Sequence, residues 1–262
     1  MTVALTIGRS ATVALTIDGI GVAFSGLKAV DGVSLLIEEG ELRVLLGANG
    51  AGKTTLMDLI SGKTPSTTGK VFLFDTEITN WSPHRIARAG IGRKFQIPSI
   101  FRDFTVRGNL DVASCSNPHV WANLGIGIPR ARRRRINEVL ELTGLTDVAE
   151  TQAANLSHGQ TQWLELGMLI VQDPKLLLLD EPTAGMTQAE THKTAEIIKG
   201  LRGQHTILVV EHDMAFVREI AEKITVMHLG RVLAEGDITA IENNEAVRQA
   251  YLGSHGISGK AA

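Results

Sequence analysis

Nine residues, GANGAGKTT at positions 47–55, limit the fold of this chain more than any other stretch. Gly47, Gly52, Lys53 and Thr54 satisfy G-x-x-x-x-G-K-[ST], in which glycines let successive backbone N–H groups turn inward around a polyphosphate. Such a loop joins a buried strand to the start of a helix, so it predicts an α/β parallel sheet with the loop at one edge. The flanks agree. LRVLL (42–46) reads as a buried strand, and a helix is expected from about Gly52 to Ile60. At average residue frequencies the pattern arises by chance in about one chain of this length in a hundred, and the flanking context narrows that further. Gly47, Ala48, Asn49, Gly50, Ala51, Gly52, Lys53, Thr54 and Thr55 are therefore the candidate ATP-binding loop. Lys53 is suited to reach the β and γ phosphates, and Thr54 to offer its hydroxyl to magnesium.

LLLLDEP (176–182) supplies a partner motif. Four apolar residues make a core strand with Asp180 at its C-terminal end, the edge at which open α/β sheets bind ligands. Asp180 is placed to hold magnesium, and Glu181 to orient or deprotonate an attacking water. Magnesium prefers few protein ligands completed by waters and phosphate oxygens, which Thr54 and Asp180 allow.

The remaining pattern fits the same class. The N-terminal part is strand-rich through VALTIDGIGVAF and AVDGVSLLIEEG; VFLFD adds a short strand, and residues 81–92 a helical piece and a strand. Residues 105–168 read as mainly helical, with breaks at Pro118, Gly125–Pro129 and Gly144. Strands and helices then alternate: 175–180, a helix near 187–201, 205–210, a helix near 213–222, KITVMHL, and a hairpin through Gly230-Arg231 to VLAEGD. TVALTI occurs twice, at 2–7 and 12–17, which suggests a local duplication extending the N-terminus over residues 1–12. The expected organisation is one domain over 13–262, with a core of 13–96 and 170–255 and a helical subdomain of about 97–169. Arg132–Arg135 spans every face of a helical turn and reads as a solvated surface; Trp163 and Leu164 read as core.

Composition excludes several classes. A net charge of −2 gives no reason to expect a nucleic-acid partner. Cys115 is the only cysteine, so no internal disulfide forms, and a reducing compartment is expected. No apolar run approaches the ~18 residues of a membrane span, and the start lacks the layout of a secretory signal. If the chain works at a membrane, another subunit holds it there.

The stretch LSHGQ (156–160) begins a helix-like run with hydroxyl and backbone donors, an anion-binding arrangement about a hundred residues from the phosphate loop. A phosphate loop, then LSHGQ, then LLLLDEP with Asp180 lying 23 residues after Ser157, resembles the ATP-binding cassette (ABC) ATPases over roughly 13–253. The resemblance implies a P-loop, RecA-like parallel-sheet core, an N-terminal antiparallel β subdomain and an inserted α-helical subdomain. It also implies that two cassettes pack head to tail, so that Ser157, His158, Gly159 and Gln160 close over the nucleotide held by the partner. Gln96 fits the glutamine loop that senses magnesium and attacking water. His212 in VVEHDM, 32 residues past Asp180, fits the switch histidine at the γ-phosphate. Phe24 in FSGLKAV fits the aromatic that stacks on adenine. Ala184-Gly185-Met186 fits the loop that contacts the opposite cassette. By this resemblance Glu181, His212 and Gln96 are catalytic, and Thr54, Gln96 and Asp180 serve the metal. One departure stands out: the commoner signature is LSGGQ, and here His158 replaces the first of the two glycines, which predicts a contribution to closure or its pH dependence.

Only 104 residues separate Lys53 from Ser157, too few for the long coiled coil of cassettes that act on DNA, and there is one cassette per chain. FRDFTVRGNL, DEPTAGMTQAE and VLAEGD…VRQAYLG resemble the ATPases of branched-chain amino-acid and amide importers, and the stretch from LSHGQ to GMT resembles those of urea transporters more closely still. The partners implied are a second cassette, identical or homologous, membrane permease subunits, and through them a substrate-binding protein. The place implied is the cytoplasmic side of the plasma membrane. The rivals are a soluble cassette powering an assembly machine, such as iron–sulfur cluster assembly, and a regulatory nucleotide-binding module.

Overall fold

The computed structural model describes residues 12–94, 100–115 and 129–252. Gln96, the first TVALTI copy and the breaks at Pro118 and Gly125 lie outside the described residues. Two sheets form. The first is antiparallel, in the order β2-β1-β4-β5, built from β1 (Val13–Phe24), β2 (Leu27–Glu38), β4 (Thr68–Leu73) and β5 (Thr76–Glu77). The second has six strands in the order β10-β9-β3-β8-β7-β6. Its members are β3 (Leu42–Leu46), β6 (Ile91–Lys94), β7 (Leu176–Asp180), β8 (Thr206–Glu211), β9 (Lys223–His228) and β10 (Arg231–Gly236). All neighbours in it are parallel except the β9–β10 hairpin.

The uninterrupted apolar runs of β3, β7 and β8 follow from this layering, because a strand covered on both faces has no polar side. Leu177 and Leu179 point into one core, together with Leu42, Val44, Leu46, Ile207 and Val209. Leu176 and Leu178 point into the other, with Leu45, Leu208 and Val210. The first core is closed by helices: α3 (Val106–Ala113), α4 (Arg130–Thr143), α5 (His158–Ile170), α6 (Gln188–Gly200) and α7 (Met214–Ile220). The second is closed by α1 (Lys53–Ile60), α2 (Pro83–Ala89) and the inner face of the antiparallel sheet, including Leu15, Ile17, Leu35 and Val71. Helix α8 (Ile238–Asn243) adds Ile241 to the first core. No helix among the described residues is long and apolar enough to cross a membrane.

Three details depart from the sequence expectations. The β9–β10 turn is Leu229-Gly230, one residue earlier than expected, with φ of 47° and 78°. Two positive φ values match the twist of a two-residue hairpin, even though a leucine rarely adopts one. Strand β5 has no counterpart among the expected strands, because two residues carry no period. Arg132–Arg135 is only half solvated. Arg133 and Arg134 are exposed, whereas Arg132 donates to Ser114 Oγ and the Asp111 carbonyl, and Arg135 to the Ile170 carbonyl. These bonds pin α4 to the ends of α3 and α5, because long guanidinium side chains reach unsatisfied helix C-terminal carbonyls. Trp163 and Leu164 are buried, as expected.

Arg43 sits wholly buried in β3. Its guanidinium donates to Glu41, Thr225, Glu235 and the Leu36 carbonyl, tying β3 to β2, β9 and β10. Removing one partner from a buried ionic network leaves the others desolvated without compensation. Arg43→Ala is therefore expected to cost about 3 kcal/mol in urea denaturation. A loss below about 1 kcal/mol would show that water replaces the guanidinium freely.

Candidate functional site

The parallel register brings three strand ends to one level. Leu46 of β3 lies opposite Glu211 of β8, and Val210 of β8 opposite Asp180 of β7. The phosphate loop leaves β3 at that level and turns into α1 through Gly52, whose φ is 101°. A Cβ at Gly52 would stand 2.5 Å from the Ala29 carbonyl oxygen, so both the backbone angle and the space demand glycine. The start of α1 has no side-chain cap and no acidic residue in its first turn. Its first N–H groups are thus available to an anion, and the helix dipole favours one there. Thr54 is exposed at this end.

Lys53 is 6% exposed and donates from Nζ to the carbonyls of Gly47, at 2.6 Å, and Ala48, at 3.1 Å. The ammonium is therefore held against its own loop. Burial pushes its pKa below the usual lysine value, while Glu181, Asp180 and Glu211 push it back up.

Asp180 is buried, with Oδ2 3.6 Å from Arg93 Nη2; Arg93 Nη1 also lies 2.6 Å from Asp58. Burial raises the Asp180 carboxyl above the ordinary range, outweighing Arg93. Its Oδ1 is buried without a hydrogen-bond partner. Glu181 follows in a left-handed conformation (φ 47°), fixed by its N–H to the Val210 carbonyl and by Ala184 N–H to its own carbonyl. Its Oε1 lies 3.3 Å from His212 Nδ1. His212 in turn donates its backbone N–H to Glu211 Oε2, and Thr183 Oγ1 donates to Glu211 Oε1 at 2.9 Å. Burial raises the Glu211 carboxyl as well.

A cavity of about 700 Å³ opens beside the loop, within the usual span of small-ligand sites. Asn49 to Thr55, Glu181, Leu27, Lys28, Ala29, Leu229 and Gly230 line it. Phosphate loop and Glu181 thus meet in one space, with Asp180, Glu211 and His212 behind Glu181. The site fits magnesium in a particular way. No group of three or more His, Cys, Asp or Glu among the described residues forms a protein cage. The orphaned Asp180 oxygen and the Thr54 hydroxyl instead suit a metal completed by phosphate oxygens and water. Held there with ATP, magnesium would neutralise charge on the transferring phosphoryl group.

One expected residue stands apart from this cavity, and the signature peptide lies away from it, as a site for a partner's nucleotide would. Phe24 ends β1, half exposed, and the cavity wall is made by Leu27 and Leu229. The signature peptide opens α5, and none of its residues lines the cavity. Ser157 caps that helix by accepting from Gln160 N–H, and Gln160 Oε1 accepts the Ser157 N–H in return. Accepting spends none of Ser157's own O–H. Sequence reasoning missed Glu211, Thr183 and Arg93. Glu211 had a legible signal, as the charged residue that ends the apolar run ILVV before His212. Arg93 had none, because its partners Asp58 and Asp180 are remote in sequence.

Comparison with known proteins agrees with this geometry. A profile of the ABC transporter family matches residues 30–184. The high-affinity branched-chain amino acid transport ATP-binding protein LivG of Salmonella typhimurium is 39% identical over 248 residues, covering 91% of this chain and 97% of the relative. BraF of Pseudomonas aeruginosa, named for the same transport, is 37% identical with the same coverage of each chain. A crystal structure of the ADP conformation of an ATP-binding cassette of an ABC transporter superposes with a TM-score of 0.79 at 28% identity, covering 92% of this chain and 99% of that one. A dimeric cassette with ADP and phosphate, at 23% identity and TM-score 0.71, covers 86% of this chain and 98% of that one and shares the fold.

The buried carboxylates set a pH dependence. Asp180 and Glu211 hold protons more tightly folded than unfolded, so the folded protein binds more protons between the ordinary carboxylate pKa and the raised one. Nucleotide-free stability is then expected to fall as pH rises through that window. Asp180→Asn should flatten the fall and raise Tm near neutral pH, read by calorimetry from acid to neutral. An unchanged profile would mean that the carboxylate is not desolvated.

Proposed function

This chain belongs to the ABC transporter family, whose ATP-hydrolysing cassettes use ATP with magnesium, and we propose that it is the ATPase subunit of an importer for branched-chain amino acids or small amides such as urea. One observation carries the reading. The chain owns a phosphate loop in one place and a donor-rich helix start, Ser157 to Gln160, in another, and the two do not share a cavity. Two copies, or this chain and a homologous subunit, complete each other when packed head to tail.

Lys53 and the first N–H groups of α1 take the phosphates. Glu181 orients and deprotonates the attacking water, and His212, 3.3 Å from Glu181, approaches the γ-phosphate. Gln96 and Thr54 serve the metal alongside Asp180. Phe24, outside the cavity wall here, closes on adenine together with Leu27. Ser157 and Gly159 of the partner clamp the same phosphate from the other side. ATP favours the closed pair because it binds that form better, and hydrolysis removes the bridging charge. Closure is passed to permease subunits at the cytoplasmic face of the membrane. The relatives named above are transporter subunits, which weighs against a free-standing assembly ATPase. The relatives' names speak for branched-chain amino acids, and the stretch from LSHGQ to GMT speaks for urea. In this reading the choice of cargo rests with the permease and binding protein.

Glu181→Gln is expected to keep ATP binding, slow turnover at least about 100-fold and accumulate an ATP-dependent dimer by light scattering. Lys53→Ala should lose nucleotide binding first. Normal hydrolysis by Glu181→Gln would remove Glu181 from its role. ATP-driven uptake of labelled leucine against urea, measured in vesicles with the permease and binding protein, decides the cargo.

A further inference from the structure

The signature peptide grips the loop behind the catalytic glutamate of its own chain. His158 Nε2 lies 3.2 Å from the Ala184 carbonyl oxygen; a carbonyl only accepts, so the imidazole donates from Nε2. One residue on, a Cβ at Gly159 would stand 2.2 Å from Glu190 Oε1, so any side chain there would displace the Glu190 carboxylate. The Gly159 backbone bonds the same carboxylate and helps hold it below the usual carboxylate range, after the larger contributions of Thr187. A turn further along α5, Trp163 Nε1 donates to Thr194 Oγ1, which lies 3.2 Å from Met186 Sδ. Three positions of α5 thus hold residues 184–194. The far end of this grip is the site itself, since Ala184 N–H closes a turn on the Glu181 carbonyl.

We propose that His158 is a positioning residue that couples the two half-sites of one chain: engagement of the partner's nucleotide by Ser157 and Gly159 is transmitted through His158 and Ala184 to the chain's own Glu181. This rests on the head-to-tail pairing proposed above. Glu181 holds a left-handed backbone, which persists only where its surroundings fix it. The Glu181–Ala184 turn fixes it, and His158 is the side chain that anchors this turn to the signature helix. Glycine, the commoner residue at this position, has no side-chain donor to offer. With His158 removed, the Glu190 and Trp163 contacts still hold α5 in place, so the fold survives while the link nearest Glu181 is lost.

The test compares His158→Phe, which keeps a ring without a donor, His158→Gly, and His158→Gln, which restores an N–H donor. Each is assayed for ATP turnover against ATP concentration, for nucleotide binding by monomer, and for ATP-dependent dimer formation in the Glu181→Gln background. Two coupled sites give a Hill coefficient above one and up to about 2. His158→Phe and His158→Gly are expected to lower turnover about 10-fold and bring the Hill coefficient toward about 1. Monomer affinity and the trapped dimer should be unchanged, and His158→Gln should recover most of the loss. Wild-type turnover and cooperativity in His158→Phe overturn the coupling while leaving the pairing intact. Loss of the trapped dimer in His158→Phe overturns it too, by placing the imidazole on the partner's phosphate. Failure of Glu181→Gln alone to dimerise removes the pairing, and the coupling with it.

Discussion

The arrangement depends on one buried cation. Lys53 sits at the start of α1 with its ammonium removed from water, held by two carbonyls of its own loop and faced by Asp180, Glu181 and Glu211. Desolvation works against the charge and the carboxylates work for it. A lysine poised this way binds a polyphosphate without first shedding a hydration shell, because folding has already removed it. Everything around it follows: a buried parallel sheet to carry three strand ends to one level, and glycine at 52 where the chain turns back beneath Ala29.

The same cluster sets stability against use. Asp180 keeps one oxygen buried without a hydrogen-bond partner, and both Asp180 and Glu211 are pushed toward the protonated form by burial. Apolar residues at these strand ends would extend the core. Carboxylates there are tolerated because Arg93 and Thr183 meet them in part, and a metal–nucleotide complex bound as proposed would supply the missing charge. Glu211 also explains how a half-exposed His212 keeps its place: its backbone is tied to a carboxylate that Thr183 anchors beside the catalytic loop.

Much of this is legible in the amino-acid sequence, for a physical reason. A phosphate loop is a local device, and its glycines, lysine and threonine must be contiguous, so the sequence shows it whole. LLLLDEP is legible because a strand covered on both faces leaves an apolar run of a few residues, and Asp180 marks where it ends. Arg93, Thr183 and the Arg43 network are not legible, because their partners come from strands and helices remote in sequence and no local period encodes that pairing. Phe24 shows the converse limit. Its place ahead of the phosphate loop is readable, but its relation to the cavity depends on how β1 and β2 turn, and the structure gives the nearest wall to Leu27.

His158 joins these two kinds of information. In sequence it is a substitution within a signature, noticeable only beside the commoner glycine. In structure it faces the carbonyl of Ala184 in its own chain, two residues before Met186 and three after Glu181. Half-sites on one chain that did not communicate would leave each nucleotide to be hydrolysed independently, and closure of the pair would then be poorly timed. A rigid connection would serve no better, since Glu181 would stay in position whether or not the signature was engaged. A single imidazole–carbonyl bond at the surface, flanked by the firmer Glu190 and Trp163 contacts, lies between these extremes: strong enough to report the position of α5, and weak enough to be broken when α5 moves.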